Sequence, residues 1–194
     1  MSNRGVPVMT RPAAEEIPLN LRLARRQDAA GIANVFVNSW RETYAGILPT
    51  TALSTLSVTR EARQWAATIA NQTMRTPTIV AVDAKDTVFG FANAGPSRDR
   101  TLPYEAEVYT LYVAPGHTGQ GIGRALLLWS FRLFTRSGFR TAIIWALEQN
   151  PSRFFYEAQG GALVAERSIN IFGGSQREVG YAWRNLAQVA GSLT

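Results

Sequence analysis

The chain has 194 residues, enough for one domain with a sizeable core. It contains no cysteine and one histidine, His117, which excludes disulfides, thiol catalysis and cysteine-ligated metal and leaves a histidine metal site or a Ser-His-Asp triad resting on a single residue. The net charge is +6, carried almost wholly by arginine because Lys85 is the only lysine, and the arginines are scattered apart from the pair Arg25 and Arg26, which speaks against a nucleic-acid groove and leaves a solvated surface or a small anionic ligand.

Residues 1–18 carry Pro7, Pro12 and Pro18 without periodicity and are expected to form a flexible leader. They hold no apolar stretch of the secretory type, and no run approaches the roughly 18 residues that span a membrane. A cytoplasmic protein with no membrane partner is therefore expected. A single domain is expected over 19–187, with a tail over 188–194.

Leu19, Leu21 and Leu23 alternate with Asn20, Arg22 and Ala24, which predicts a strand. Asp28 reads as a helix N-cap, and behind it Ile32, Val35, Phe36, Trp40 and Tyr44 fall at helical spacing until Gly46 and Pro49. A second helix is predicted from about Thr59 to Asn71, with Trp65 and Ile69 inward. Thr78 to Val82 and Val88 to Asn93 read as a hairpin. A polar loop from Gly95 to Pro103 leads into a long strand ending at Val113. Arg124 to Phe134 reads as a helix, Phe139 to Leu147 as a buried strand, and Asn150 caps a short helix through Gln159 that Gly160 and Gly161 end. Ala162 to Asn170 and Arg177 to Arg184 are final strands around a Gly173–Gly174 turn. The one strand–helix–strand crossover, from Val113 to Phe139, predicts a parallel pair within an otherwise antiparallel sheet.

Between the long strand and its helix stand Gly116, Gly119, Gly121 and Gly123. Glycine lets the backbone approach a ligand, and the first turn of a helix offers free N–H groups, so a phosphate or pyrophosphate is the natural guest. The triphosphate-binding pattern fails because Ile122 stands where it needs lysine. The dinucleotide pattern is weak because Arg124 or Leu126 stands at its third glycine. A third pattern, [QR]-x-x-G-x-[GA] entered from a strand ending Val-x-Pro, fits Leu111, Tyr112, Val113, Pro115, Gly121 and Gly123, with Thr118 in place of Gln or Arg. On these residues the chain resembles the GNAT superfamily of acyl-CoA-dependent N-acyltransferases.

The resemblance covers about Leu19 to Asn185 and implies an α/β (α+β) fold: a mixed, mostly antiparallel sheet of six to seven strands, a central splayed parallel pair and flanking helices. It implies acetyl-CoA as co-substrate and no metal, with the pantetheine arm in the splay. Leu111, Tyr112 and Val113 would hold the carbonyl and pantetheine, and Thr118, Gly119, Gln120, Gly121, Ile122, Gly123 and Arg124 the pyrophosphate. The segment Asn150 to Gly161 resembles a second family motif, with Gly161 in place of an aromatic residue. Through it Asn150 and Phe155 are implied to meet CoA, and Tyr156 to protonate the departing thiolate. The family's glutamate on the long strand maps to Glu107, as the base that takes the ammonium proton, with Glu105 as alternative. Period-2 alternation places Glu107 on one face with Tyr109 and Leu111. Trp40, Arg41 and Tyr44, in a segment similar to one in a bacterial subset of the family, and Arg98, in the polar loop, would meet the acceptor. That acceptor is a small-molecule amine or a peptide, nucleic acid is not expected as a partner, and dimers are common in the family. The function implied is direct transfer of an acetyl group to a primary amine in a ternary complex. The rival is a non-catalytic acyl-CoA sensor on the same fold.

Overall fold

The computed structural model describes residues 20–191; the expected leader and Leu19 lie outside them. The elements run β1 (Asn20–Leu23), a 3-10 turn (Arg26–Asp28), α1 (Ala29–Thr43), α2 (Thr50–Ser54), α3 (Val58–Ala70), β2 (Thr78–Val82), β3 (Val88–Pro96), β4 (Ala106–Val113), α4 (Ile122–Arg136), β5 (Ala142–Leu147), α5 (Arg153–Ala158), β6 (Ala162–Ile171), β7 (Gly174–Trp183) and α6 (Leu186–Ala190). Every element expected from the sequence is present. The two short helices α2 and α6 were not expected. Leu186 of α6 is fully buried against the α4 cluster, so this helix crosses the boundary at which the tail was expected to begin.

The strands form one sheet in the order β1-β2-β3-β4-β5-β7-β6. All neighbours are antiparallel except β4 and β5. One face carries α4 and α6 over a core that includes Ala106, Val108, Leu127, Phe131 and Trp183. The other carries α1 and α3, with Ile32, Val35, Trp65 and Phe91 between them. Burial of these apolar side chains on both faces holds the sheet between two helical layers.

That opening is a matter of register. β4 pairs with β5 only at Ala106↔Ala142, Glu107↔Ile143 and Val108↔Ile144. Beyond this, β4 stays with β3 up to Val113↔Gly90, and β5 stays with β7 up to Leu147↔Glu178. The two parallel strands therefore part after three residue pairs. At the same level β4 bulges: its register with β3 jumps from Ala94↔Val108 to Asn93↔Thr110 and leaves Tyr109 unmatched. A bulge adds one residue and reverses the alternation beyond it. Ala106, Val108 and then Leu111 all pack toward α4, whereas Tyr112 packs toward α1. The expected shared face of Glu107 and Leu111 is thus corrected: they lie on opposite faces.

Asp28 also differs from its expected role. It stands at the N-cap position of α1, but its side chain caps no amide of that helix. Instead it accepts from the two terminal guanidinium nitrogens of Arg22, Nη1 and Nη2 (2.6 and 3.0 Å), and from the Arg25 amide (2.6 Å). Burial opposes its charge, yet these bonds outweigh burial and hold the carboxyl below its usual range.

Candidate active site

The glycine-rich turn has the conformation its sequence implies. Gly116, Gly119 and Gly121 all take positive φ, at 80°, 76° and 80°. Gly121 serves as N-cap of α4 in the left-handed region, which side chains with a Cβ enter only at a cost. The first bond into the helix runs from the Ala125 amide to the Gly121 carbonyl (2.9 Å). The amides of Gly119 to Arg124 therefore have no backbone acceptor among the described residues, which is the donor array an anion requires. Arg124 adds an exposed guanidinium with no ion-pair partner among the described residues.

These groups border a cavity of about 430 Å³ that no acidic side chain lines. Of the residues expected to bind CoA, Leu111, Tyr112, Val113, Thr118, Gly119, Gly121, Gly123, Arg124 and Phe155 line it. Gln120 is exposed, its amide turned back to the Gly116 carbonyl (3.4 Å), and Ile122 is buried under the sheet. Asn150 lies elsewhere. Its Oδ1 accepts from the Ser152 amide (2.8 Å) and its Nδ2 donates to the Tyr44 hydroxyl (3.1 Å). Ser39, whose hydroxyl donates to the Val113 carbonyl (2.9 Å), and Gln159 also line the cavity, although neither carries a sequence signal for it.

A second cavity of about 340 Å³ opens on the α1 side of the splay. Trp40 Nε1 donates to the Tyr112 hydroxyl (2.8 Å), and Tyr44 stands beside it on the same wall. With the Asn150–Tyr44 bond this puts two hydrogen-bonded pairs along one wall. Trp40 and Tyr44 thus sit where an acceptor site was expected. Arg41 does not: its guanidinium donates to the Leu56 carbonyl (2.9 Å), away from the cavity.

The two cavities share Thr43, Leu111, Tyr112, Ser152 and Tyr156. Tyr156 is 5% exposed, and its hydroxyl makes no hydrogen bond among the described residues. Burial, reinforced by neighbouring Tyr44, pushes its phenol well above the usual value. Burial likewise raises Tyr44 and Tyr112. All three phenols keep their protons through the neutral range. Gly161, which stands where the family motif has an aromatic residue, is explained by Trp183, because a Cβ there would fall 2.8 Å from the indole.

Glu107 is 1% exposed and lines neither cavity. Its Oε2 accepts from the Arg98 amide (3.0 Å) and its Oε1 from the Arg98 guanidinium, including Nε at 3.1 Å. The guanidinium lies 4.4 Å over the Tyr109 ring. Glu107 and Arg98, expected as base and acceptor contact, are therefore bound to each other. Glu105 accepts from the Arg140 amide (2.5 Å) on the far side of the strand. Among the described residues no cluster of three or more potential ligands could hold a metal ion, and no helix is long and apolar enough to cross a membrane.

A glycine-loop donor site beside a splayed parallel pair is the arrangement of a GNAT acetyltransferase. The model of the acetyltransferase (GNAT) family matches residues 34–161, and the chain belongs to that family. It is 36% identical over 169 residues to YuaI, an uncharacterized N-acetyltransferase of Bacillus subtilis (strain 168), a match covering 87% of this chain and 95% of that one. The fold is similar to that of the PaiA N-acetyltransferase from Thermoplasma acidophilum, solved in complex with coenzyme A (TM-score 0.60, 20% identity, 83% of this chain and 97% of that one). It is also similar to that of YncA, a candidate acetyltransferase from Salmonella typhimurium solved with its cofactor acetyl-CoA (TM-score 0.64, 20% identity, 86% and 93% covered).

Proposed function

We propose that the protein transfers an acetyl group from acetyl-CoA directly to a primary amine while both are bound. The observation that carries this reading is the meeting of two cavities at Tyr156, in the gap between β4 and β5. The glycine-loop amides and Arg124 suit the pyrophosphate, and the gap is bordered by strand edges that suit the amides of a pantetheine arm. When bound, acetyl-CoA supplies an activated thioester carbonyl. The chain's part is to hold that carbonyl near the unpaired stretch of β4, to bring to it the amine once its ammonium proton has passed to water, and to protonate the sulfur as the carbon–sulfur bond breaks, the proton donor then recovering the proton that the new amide nitrogen sheds. Tyr156 is assigned that proton: its phenol is unbonded, buried and kept protonated. Glu107 is given a structural role, since both its oxygens are occupied by Arg98, whose loop it ties to the bulged strand. A reducing cytosol is the proposed setting, in keeping with the cysteine-free sequence.

The test is calorimetric titration with CoA followed by thiol release from acetyl-CoA across a broad amine panel. Micromolar CoA binding with amine-dependent thiol release is expected. Absence of both would sink the proposal. CoA binding without turnover of any amine, together with a Tyr156→Phe variant that changes nothing, would favour the sensor instead.

A further inference from the structure

The second cavity is almost free of charge. Among the described residues Glu178 is the only ionic side chain that lines it; the rest are apolar, aromatic, hydroxyl or amide groups. Glu178 enters from β7, where it lies opposite Leu147 on one side and Arg167 on the other. Arg167 binds a single carboxylate oxygen, Oε2, through Nε (2.9 Å) and Nη2 (2.8 Å). Oε1 has no partner among the described residues. Arg167 itself does not line the cavity, and its guanidinium is stacked 3.9 Å over the Trp145 ring. Arg41 and Arg98, the cations expected here, are bound elsewhere.

These facts select by charge. A carboxylate or phosphate on the acceptor would enter a partly enclosed space with no lining cation and with Glu178 facing it, an unpaired anion beside another. An ammonium would meet the free Oε1; of the lining rings, Tyr109 and Trp145 already carry the guanidinium groups of Arg98 (4.4 Å) and Arg167 (3.9 Å), which leaves Trp40 as the ring to attract it. Two buried polar atoms, Thr110 Oγ1 and Trp145 Nε1, belong to lining residues and have no hydrogen-bond partner among the described residues. A volume of about 340 Å³ is at the lower end of small-molecule sites.

We infer that the acceptor is a small cationic amine without a carboxylate or phosphate, recognised through its positive charge by Glu178. The inference rests on the acetyltransferase reading above and names its substrate class. The test uses matched pairs that differ by one carboxylate, benzylamine against phenylglycine and tyramine against tyrosine, titrated by calorimetry into CoA-loaded protein. At least tenfold tighter binding of the decarboxylated member of each pair is expected. Glu178→Gln should weaken amine binding at least tenfold while CoA affinity, measured first on the same sample, stays unchanged and reports an intact fold. Equal or tighter binding of the carboxylated members, no binding of either member, or wild-type amine affinity in Glu178→Gln would overturn the assignment and leave the acetyltransferase reading standing. Loss of CoA binding in the wild type would instead remove that reading, and this one with it. The paired comparison on wild-type protein decides the matter even where Glu178→Gln fails to fold.

Discussion

The two cavities that meet at Tyr156 are built from different materials. The one at the α4 N-terminus adds backbone to its side chains: Gly119 and Gly121 at positive φ and the amides left free at the start of the helix. The one on the α1 side is lined by residues drawn from α1, β4, β5, β6, β7, α5 and the turn before α5. A backbone site tolerates wide change in side chains as long as its glycines stay. A side-chain site is rewritten by single substitutions. The difference suggests why a common donor can be paired with acceptors that vary from protein to protein.

Tyr156 belongs to both cavities, so changing it should give the largest effect. Tyr156→Phe keeps the ring in its cluster and removes only the hydroxyl. A fall in kcat of roughly 10²–10⁴ is expected, with KM for the amine and affinity for CoA unchanged, as for loss of a general acid. Unaltered kcat would reduce Tyr156 to a packing residue.

The next effect separates the cavities. Gly121→Val puts a branched side chain at φ 80°, where the left-handed conformation costs roughly 1–2 kcal/mol. CoA affinity should drop by about tenfold, and calorimetry should show the weakened binding. Thr118→Ala, which leaves the same backbone intact, should change it by less than about threefold. A larger loss from Thr118 than from Gly121 would break the backbone account.

A smaller effect is expected on the opposite side. A Cβ on Gly180 would fall 3.0 Å from Ile143 and 3.2 Å from the Trp145 ring. Gly180→Ala should displace that indole and raise KM for the amine severalfold without touching CoA affinity. Steady-state kinetics with each substrate varied in turn would check this.

The smallest effect on either cavity should come from Asp28, which lines neither. Its carboxyl is held below its usual range by Arg22 and the Arg25 amide, against the opposing effect of burial. Its stabilisation is therefore fully present above the ordinary aspartate value near 4 and is lost as pH falls through the lower folded one. The melting temperature of the wild type should fall between about pH 5 and pH 3 more steeply than that of Asp28→Asn. Parallel pH curves would remove Asp28 from the account of stability.

What the sequence made legible follows the same division. The strand ending at Val113, the glycine turn and the helix after it are contiguous, so residue type and spacing define them. Tyr156 and its helix were legible for the same reason. The bulge at Tyr109 was not, because a bulge exists only relative to a partner strand, and the alternation of β4 looks unbroken in isolation. Missing it put Glu107 on the wrong face. Arg41 and Arg98 were misplaced because a long guanidinium side chain chooses its partner in three dimensions, here the Leu56 carbonyl and Glu107. Glu178 and Trp145 lie far apart in sequence and meet only through the β5–β7 register, which sets Trp145 against Gly180. Gly180, in the interior of that strand, was the available signal, since glycine inside a strand marks a close approach.

The parting of β4 from β5 after three residue pairs also bears on heat resistance. From Tyr109 to Val113 on one strand and from Trp145 to Leu147 on the other, the facing edges have no partner strand, so the sheet is an incomplete ladder at its centre. A ligand that lies between them supplies the missing rungs and is counted in the folding equilibrium. At a concentration 100 times its Kd such a ligand adds about 2.7 kcal/mol to the folded state. The melting temperature of this acetyltransferase should then rise with the CoA around it, and a thermal shift would read occupancy of the gap before any acceptor is known.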